Sequence, residues 1–457
     1  MKPIRTIVAD IIIELTRLQA VPVARRNHGD EFGLPRMIAA GDDRGIVVSK
    51  KIDNAIADVS RRLMDNAPKL KSRYTLAEWH AAVRRAFGPA LAAIDLDGKP
   101  ADNAQVVLRA VKETLSKDQS RQISREHAFG CTLFSDKIIA PFTIGPVRFE
   151  TRAVWLARKA EAGYISKVTA RRIIRAWRGD RIAKHKVSGE SLREDDILGA
   201  IGSSPFVCSV VTTGFGDEAA REKALTAARL ALAAIALLWQ TPSKALSGFN
   251  LLFDRSVRRL KTLTFVPKNH VLSGSSLSHM PNGPWLKPEE WEKLLKDRCD
   301  HFAIAAEILD YLISPTGKVS RPKLMNTLAQ SLLWFHEGCR ETVSLMGIVK
   351  FSASMDALAL GGKSVGIRKL IAARIGITDE KPIRRDGPTM KAAIDTIYGD
   401  GRSRTLHGSN EELGHDWSGT VGLAEHFARL CLVSCMDWAA ENPTLDDPRL
   451  LLNSAAA

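Results

Sequence analysis

The sequence predicts a mainly α protein. It divides into a helical N-terminal region over residues 1–125, a small α+β domain over 126–266, a linker over 267–290, an all-α helical bundle over 291–445 and a flexible tail over 446–457. Three observations carry that reading. Apolar residues recur at three- and four-residue spacing in the first and last thirds, as a helix with one buried face requires. Short β-type runs cut by Pro and Gly are confined to the middle. A stretch rich in Pro, Gly and Ser separates the middle from the C-terminal third.

At the N-terminus Ile7, Val8, Ile11, Ile12 and Ile13 are interrupted by Asp10 and Glu14, which gives an amphipathic helix and not a signal-peptide core. Ile56 to Met64 and Leu76 to Phe87 repeat the helical spacing, with breaks near Pro89 and Gly98-Lys99-Pro100. From residue 126 the pattern changes. Cys131–Phe134, Ile138–Phe142 and Val147–Phe149 read as strands, and Pro205–Thr213 reads as a buried strand followed by a long alanine-rich helix from Asp217. The junction Gly214-Phe215-Gly216-Asp217-Glu218-Ala219 fits a G-x-G-x-x-A pattern. The helix nevertheless runs past the point where a second strand and its ribose-binding acid belong, so a dinucleotide site is rejected. After the linker, helices are expected at Pro288–Asp297, His301–Ile313, Arg321–Gly338 continuing into Met346, Val349–Leu360, Lys363–Ile375, Thr389–Tyr398 and Thr420–Glu441.

The formal charge of +15 and pI near 9.6 point to a polyanionic partner, nucleic acid before membrane. The longest apolar run, Ala224–Trp239, falls short of the roughly 20 residues a bilayer requires, so no membrane partner is expected. Six cysteines, mostly far apart, argue for reduced thiols and a cytoplasmic protein, with Cys431 and Cys435 as core residues. Residues 152–186 hold eleven Lys or Arg against Glu161 and Asp180. Arg171, Arg172, Arg175, Arg178 and Arg181 are the candidate nucleic-acid contacts there, because clustered cations gain affinity by releasing counterions.

The chemistry concentrates near the C-terminus, in Tyr398-Gly399-Asp400-Gly401-Arg402-Ser403-Arg404-Thr405-Leu406-His407-Gly408. An arginine grips phosphate through two donors, and a histidine exchanges protons near neutrality. Together they suffice to cleave RNA without a metal. Five steps at about 100° place Arg402 and His407 roughly 140° apart on a regular helix. They converge only if the helix begins or bends within the motif, for which Gly399-Asp400-Gly401 is the candidate break, or if two copies meet in a symmetric dimer. His407, Glu411 and His415 could share a helix face as metal ligands, but Gly408 and Gly414 argue against a continuous helix; no metal and no cofactor are expected. Gly361-Gly362-Lys363-Ser364 ends like a phosphate-binding loop but has Ala357 where that motif needs glycine, so it reads as a helix break.

The same run resembles the end of Apea-like HEPN domains, which carry tyrosine, then arginine-serine, then histidine-glycine after a few mostly apolar positions. Leu332-Leu333-Trp334-Phe335, the helix Val349–Leu358 and the closing helix Ala424–Trp438 are similar to other helices of that domain. The resemblance covers about residues 291–441. Three residues, not the usual two, separate Tyr398 from Arg402. The resemblance implies a compact helical bundle that dimerises and acts as a metal-independent endoribonuclease. Arg402 and His407 would be catalytic, with Ser403, Arg404 and Tyr398 supporting. It further implies an RNA substrate, possibly tRNA, and a role as a toxin-like effector of antiviral defence, with residues 1–290 sensing a phage-derived trigger. The rival expectations are a non-catalytic HEPN dimerisation or RNA-binding module and a basic DNA-binding regulator.

Overall fold

The computed structural model describes residues 2–21, 36–120, 123–135, 139–183, 186–254, 260–266, 270–277, 283–314 and 319–453. It is mainly α, with one five-stranded sheet and two hairpins among the described residues. The chain forms two compact units. One comprises Met1–Arg125 with Thr212–Lys223, the other Glu126–Val211 with Ala224–Ala457.

The first unit contains α1 (Ile4–Gln19), the hairpin β1 (Arg36–Gly41) and β2 (Arg44–Val48), then α2 (Lys50–Asp65), α3 (Pro68–Lys71), α4 (Leu76–Ala92) and α5 (Pro100–Ser120). The amphipathic N-terminal helix is as expected, and buries Val8, Ile11, Ile12 and Leu15 against Ile52, Ile56, Val83, Phe87, Val107 and Val111. The hairpin is a departure from the helical reading. Its turn places Gly41, Asp42 and Asp43 at positive φ, and Gly88 of α4 lies so close that an added Cβ would sit 1.9 Å from the Ala39 carbonyl oxygen.

The second unit opens with β3 (Ser124–Thr132), β4 (Phe142–Ile144), β5 (Val147–Thr151), α6 (Arg152–Glu161), α7 (Lys167–Arg178), α8 (Gly189–Ile201) and β6 (Phe206–Thr213). There follow α9 (Asp217–Ala236), α10 (Pro242–Gly248), β7 (Asn250–Leu251), and the hairpin β8 (Leu260–Val266) and β9 (His270–Leu277). The sheet order is β4-β5-β6-β3-β7. β9 thus falls inside the expected 267–290 linker, and the end of that stretch is tied to the sheet region: Ser135 donates its backbone N–H to the Pro284 carbonyl at 3.2 Å. The rest of the expected linker, 267–269 and 278–282, lies outside the described residues.

The C-terminal helices are α11 (Pro288–Asp297), α12 (Cys299–Ile313), α13 (Pro322–Cys339), α14 (Ser344–Leu358), α15 (Lys363–Ile375), α16 (Met390–Asp395), α17 (Arg404–Leu406) and α18 (Ser418–Glu441). The expected continuation of α13 into Met346 does not occur. The Glu341 carboxylate accepts the Thr342 and Val343 N–H groups at 2.8 and 3.1 Å, which turns the chain before α14 starts. Leu360 and Gly361, both at positive φ, break the chain between α14 and α15 as expected.

Phe134, Phe149, Phe206, Leu230, Ile235, Trp291, Phe335, Phe351 and Leu432 share one core, so the expected α+β domain and C-terminal bundle belong to a single unit. The tail is ordered through residue 453: Pro448–Leu452 forms a 3-10 helix with Leu451 fully buried. Residues 454–457 lie outside the described residues. All six cysteines are free thiols, and burial pushes Cys431 up to about 12. Among the described residues no single helix is long and apolar enough to cross a membrane. The bent pair α14 and α15 passes by length and composition only, and both of its helices contribute to the core.

Candidate active site

α16 starts at Thr389, whose hydroxyl accepts the Ala392 N–H at 3.3 Å. It runs without a break into a π-helix over Thr396–Ser403 and then into α17. Gly399-Asp400-Gly401 is therefore part of a continuous helix and not the expected break. The winding changes there instead, with the Arg404 N–H bonding the Gly399 carbonyl five residues back. Gly401 is required by packing. An added Cβ would lie 2.6 Å from Cγ2 of Ile348 on α14, so only glycine lets the π-turn approach this closely.

The helix ends on a Schellman motif. Ser409 donates to the Arg404 carbonyl at 2.9 Å and Gly408 to the Thr405 carbonyl at 3.4 Å, with Gly408 at φ +69°. The glycine after the histidine thus has a backbone reason, and it leaves His407 exposed at the helix end. His407 has no side-chain hydrogen bond or ion pair among the described residues. The loop beyond is braced: Asn410 donates to the Thr405 hydroxyl at 2.9 Å, and the Trp417 indole donates to the Glu412 carbonyl at 3.0 Å. Because Gly408 turns the chain, His407, Glu411 and His415 do not share a helix, and among the described residues no three His, Cys, Asp or Glu side chains are grouped to hold a metal.

Arg402 is held, in contrast to His407. Its Nη1 donates to the Tyr398 hydroxyl, its guanidinium lies 4.6 Å from the Tyr398 ring centroid, and its Nη2 is 3.3 Å from the Asp356 carboxylate. Burial, then Asp356, pushes the Tyr398 phenol up, which keeps it a neutral acceptor. The other Asp356 oxygen accepts the Lys363 N–H at 3.0 Å, tying the arginine to the start of α15. Arg402 Nε is buried with no hydrogen-bond partner among the described residues. Ser403 is half-buried beside it, and Arg404 is exposed and pairs with Asp400 at 3.3 Å. The sequence pattern assigns no role to Asp356; its signal is being the only acid in the otherwise largely apolar helix α14.

The expected basic patch is smaller than its composition. Arg158 pairs with Glu150 and Glu126, and Lys159 with Glu126. Arg172 donates to Glu194 at 2.7 and 3.2 Å, which partly offsets its charge. Arg171, Arg175, Arg178 and Arg181 remain exposed, while Lys184 lies outside the described residues. The rejected dinucleotide loop has an independent obstacle in the first unit. The Glu78 carboxylate already accepts the Glu218 and Ala219 N–H groups at the start of α9, where a pyrophosphate would sit.

No protein-family model matches the chain, and no curated protein or solved structure resembles it significantly.

Proposed function

We propose that the chain is a metal-independent endoribonuclease of the HEPN type, working as a homodimer through its C-terminal helical bundle. The observation that carries the reading is a held arginine and an exposed histidine on one helix whose winding changes from π to α between them. The 2′-hydroxyl of the RNA attacks the adjacent phosphorus, and a neutral His407 removes its proton. The 5′-oxygen leaves with a proton from the His407 of the second protomer, giving a 2′,3′-cyclic phosphate and a 5′-hydroxyl. Arg402 offers its guanidinium to the phosphate oxygen that gains charge, a preorganised contribution of about 3–4 kcal/mol if it matches an oxyanion donor. A role as a triggered antiviral effector is part of the same proposal.

A second reading, a non-catalytic dimerisation or RNA-binding module, is favoured by one observation: the ion pair with Asp356 already offsets the charge of Arg402. The two separate on purified protein incubated with structured RNA or tRNA in chelator, with and without a candidate trigger. The nuclease reading expects cleavage by the wild type and none by His407→Ala, with cyclic-phosphate ends on the products. Absence of cleavage from both leaves the binding module.

A further inference from the structure

α6 and α7 are consecutive helices joined by a five-residue turn, 162–166. Gly163 sits at φ +80°, and the Ser166 hydroxyl caps α7 by accepting the Thr169 N–H at 3.0 Å. Leu156, Ile165, Ala170 and Ile173 join Trp155, Ile201 and Val207 in a core of their own, which fixes which face of α7 points inward. Arg152 braces the far end, its guanidinium 4.8 Å from the Trp177 ring and its Nη2 donating to the Trp177 carbonyl at 3.2 Å. Gly179, at φ +85°, terminates the helix.

The outward face carries Lys167, Val168, Arg171, Arg175 and Arg178, all exposed. Two acids of α8 are engaged elsewhere. Glu194 pairs with Arg172, and Glu190 accepts from Ser166 N and Thr169 and pairs with Arg193. Among the described residues only Asp180 approaches the face, 3.4 Å from Arg175, with both side chains largely in water. The result is a predominantly basic helix face with an apolar residue, Val168, near its start at 59% exposure.

We propose that this pair docks duplex DNA, with α7 in the major groove and Arg171, Arg175 and Arg178 on backbone phosphates. A B-form major groove admits an α-helix and offers thymine methyls to a side chain such as Val168. The deep, narrow major groove of duplex RNA excludes it. The inference stands apart from the ribonuclease reading, since it uses none of the residues near His407.

The test is fluorescence anisotropy on the full chain with a labelled mixed-sequence DNA duplex, the matching RNA duplex and polyglutamate, across a salt series. The wild type should bind DNA at low salt, with log K falling linearly in log salt. The triple variant R171A/R175A/R178A should reduce that slope by about 3, near 0.9 for each phosphate no longer neutralised. The triple arginine-to-lysine variant should retain it, and R171Q alone, the milder change if the triple variant misfolds, should reduce it by about 1. The proposal is overturned by no DNA binding at low salt, by a slope unchanged in the alanine variant, or by RNA or polyglutamate bound as tightly and lost in the same variant.

Discussion

The protein treats its arginines in two opposite ways. Arg402 is locked by Tyr398 and Asp356 inside the second unit, whereas Arg171 and Arg178 on α7 project into water with no carboxylate upon them among the described residues. A locked guanidinium can meet one oxygen in one place with little reorganisation, which suits a transition state. Free guanidiniums on a helix face adapt to many phosphates, which suits an extended polyanion. The difference separates a point of chemistry from a surface of attraction.

The largest expected effect lies at the locked site. Arg402→Ala and His407→Ala should each lower RNA cleavage by at least about 10²-fold, the lower range for losing an oxyanion donor or a general acid–base group. Their thermal denaturation should differ. His407 makes no side-chain hydrogen bond or ion pair among the described residues, so its variant should unfold like the wild type, whereas Arg402→Ala removes the charged partner of Asp356 and should cost about 1–3 kcal/mol. Equal stability of the two variants would break the comparison.

Gly401→Ala tests whether the π-turn positions the arginine. Its Cβ would press on Ile348, for a cost of about 1–3 kcal/mol in a denaturant titration and a loss of cleavage larger than the loss of fold. The smallest effect separates α7 from itself. Arg172→Ala, which removes the guanidinium held on buried Glu194, should lower the melting temperature, while Arg175→Ala should leave it within error. A reversal of that order would mean that the ion pairs along α7 are wrongly apportioned.

Elements that announce their own ends were legible. α11 begins on Pro288 and α15 ends before Gly376 in the left-handed region, and both match their expected bounds. Elements set by distant packing were not. The β1–β2 hairpin turns on Gly41, Asp42 and Asp43 at positive φ, a turn that follows a stretch with no helical or strand spacing of its own. The π-helix follows from Gly401 meeting Ile348, and the ordered tail from Leu451 reaching the core; neither contact has a local signature. At the site, Arg402 and His407 could be singled out from their chemistry, while Tyr398 entered only through the resemblance of the surrounding run. Asp356 could not be given its role, because it reaches Arg402 only through the packing of α14 on the π-helix. The basic segment misled in the other direction, since Glu126, Glu150 and Glu194 lie outside it in sequence.

The most direct measurement is cleavage of a defined structured RNA in chelator by wild type, Arg402→Lys and His407→Ala, with product ends assigned by mass. The account predicts 2′,3′-cyclic phosphate ends from the wild type, strongly reduced cleavage from Arg402→Lys, whose single ammonium lacks the guanidinium fork, and none from His407→Ala. Cleavage by the His407→Ala variant at the wild-type rate, or cleavage abolished by chelator, would contradict it.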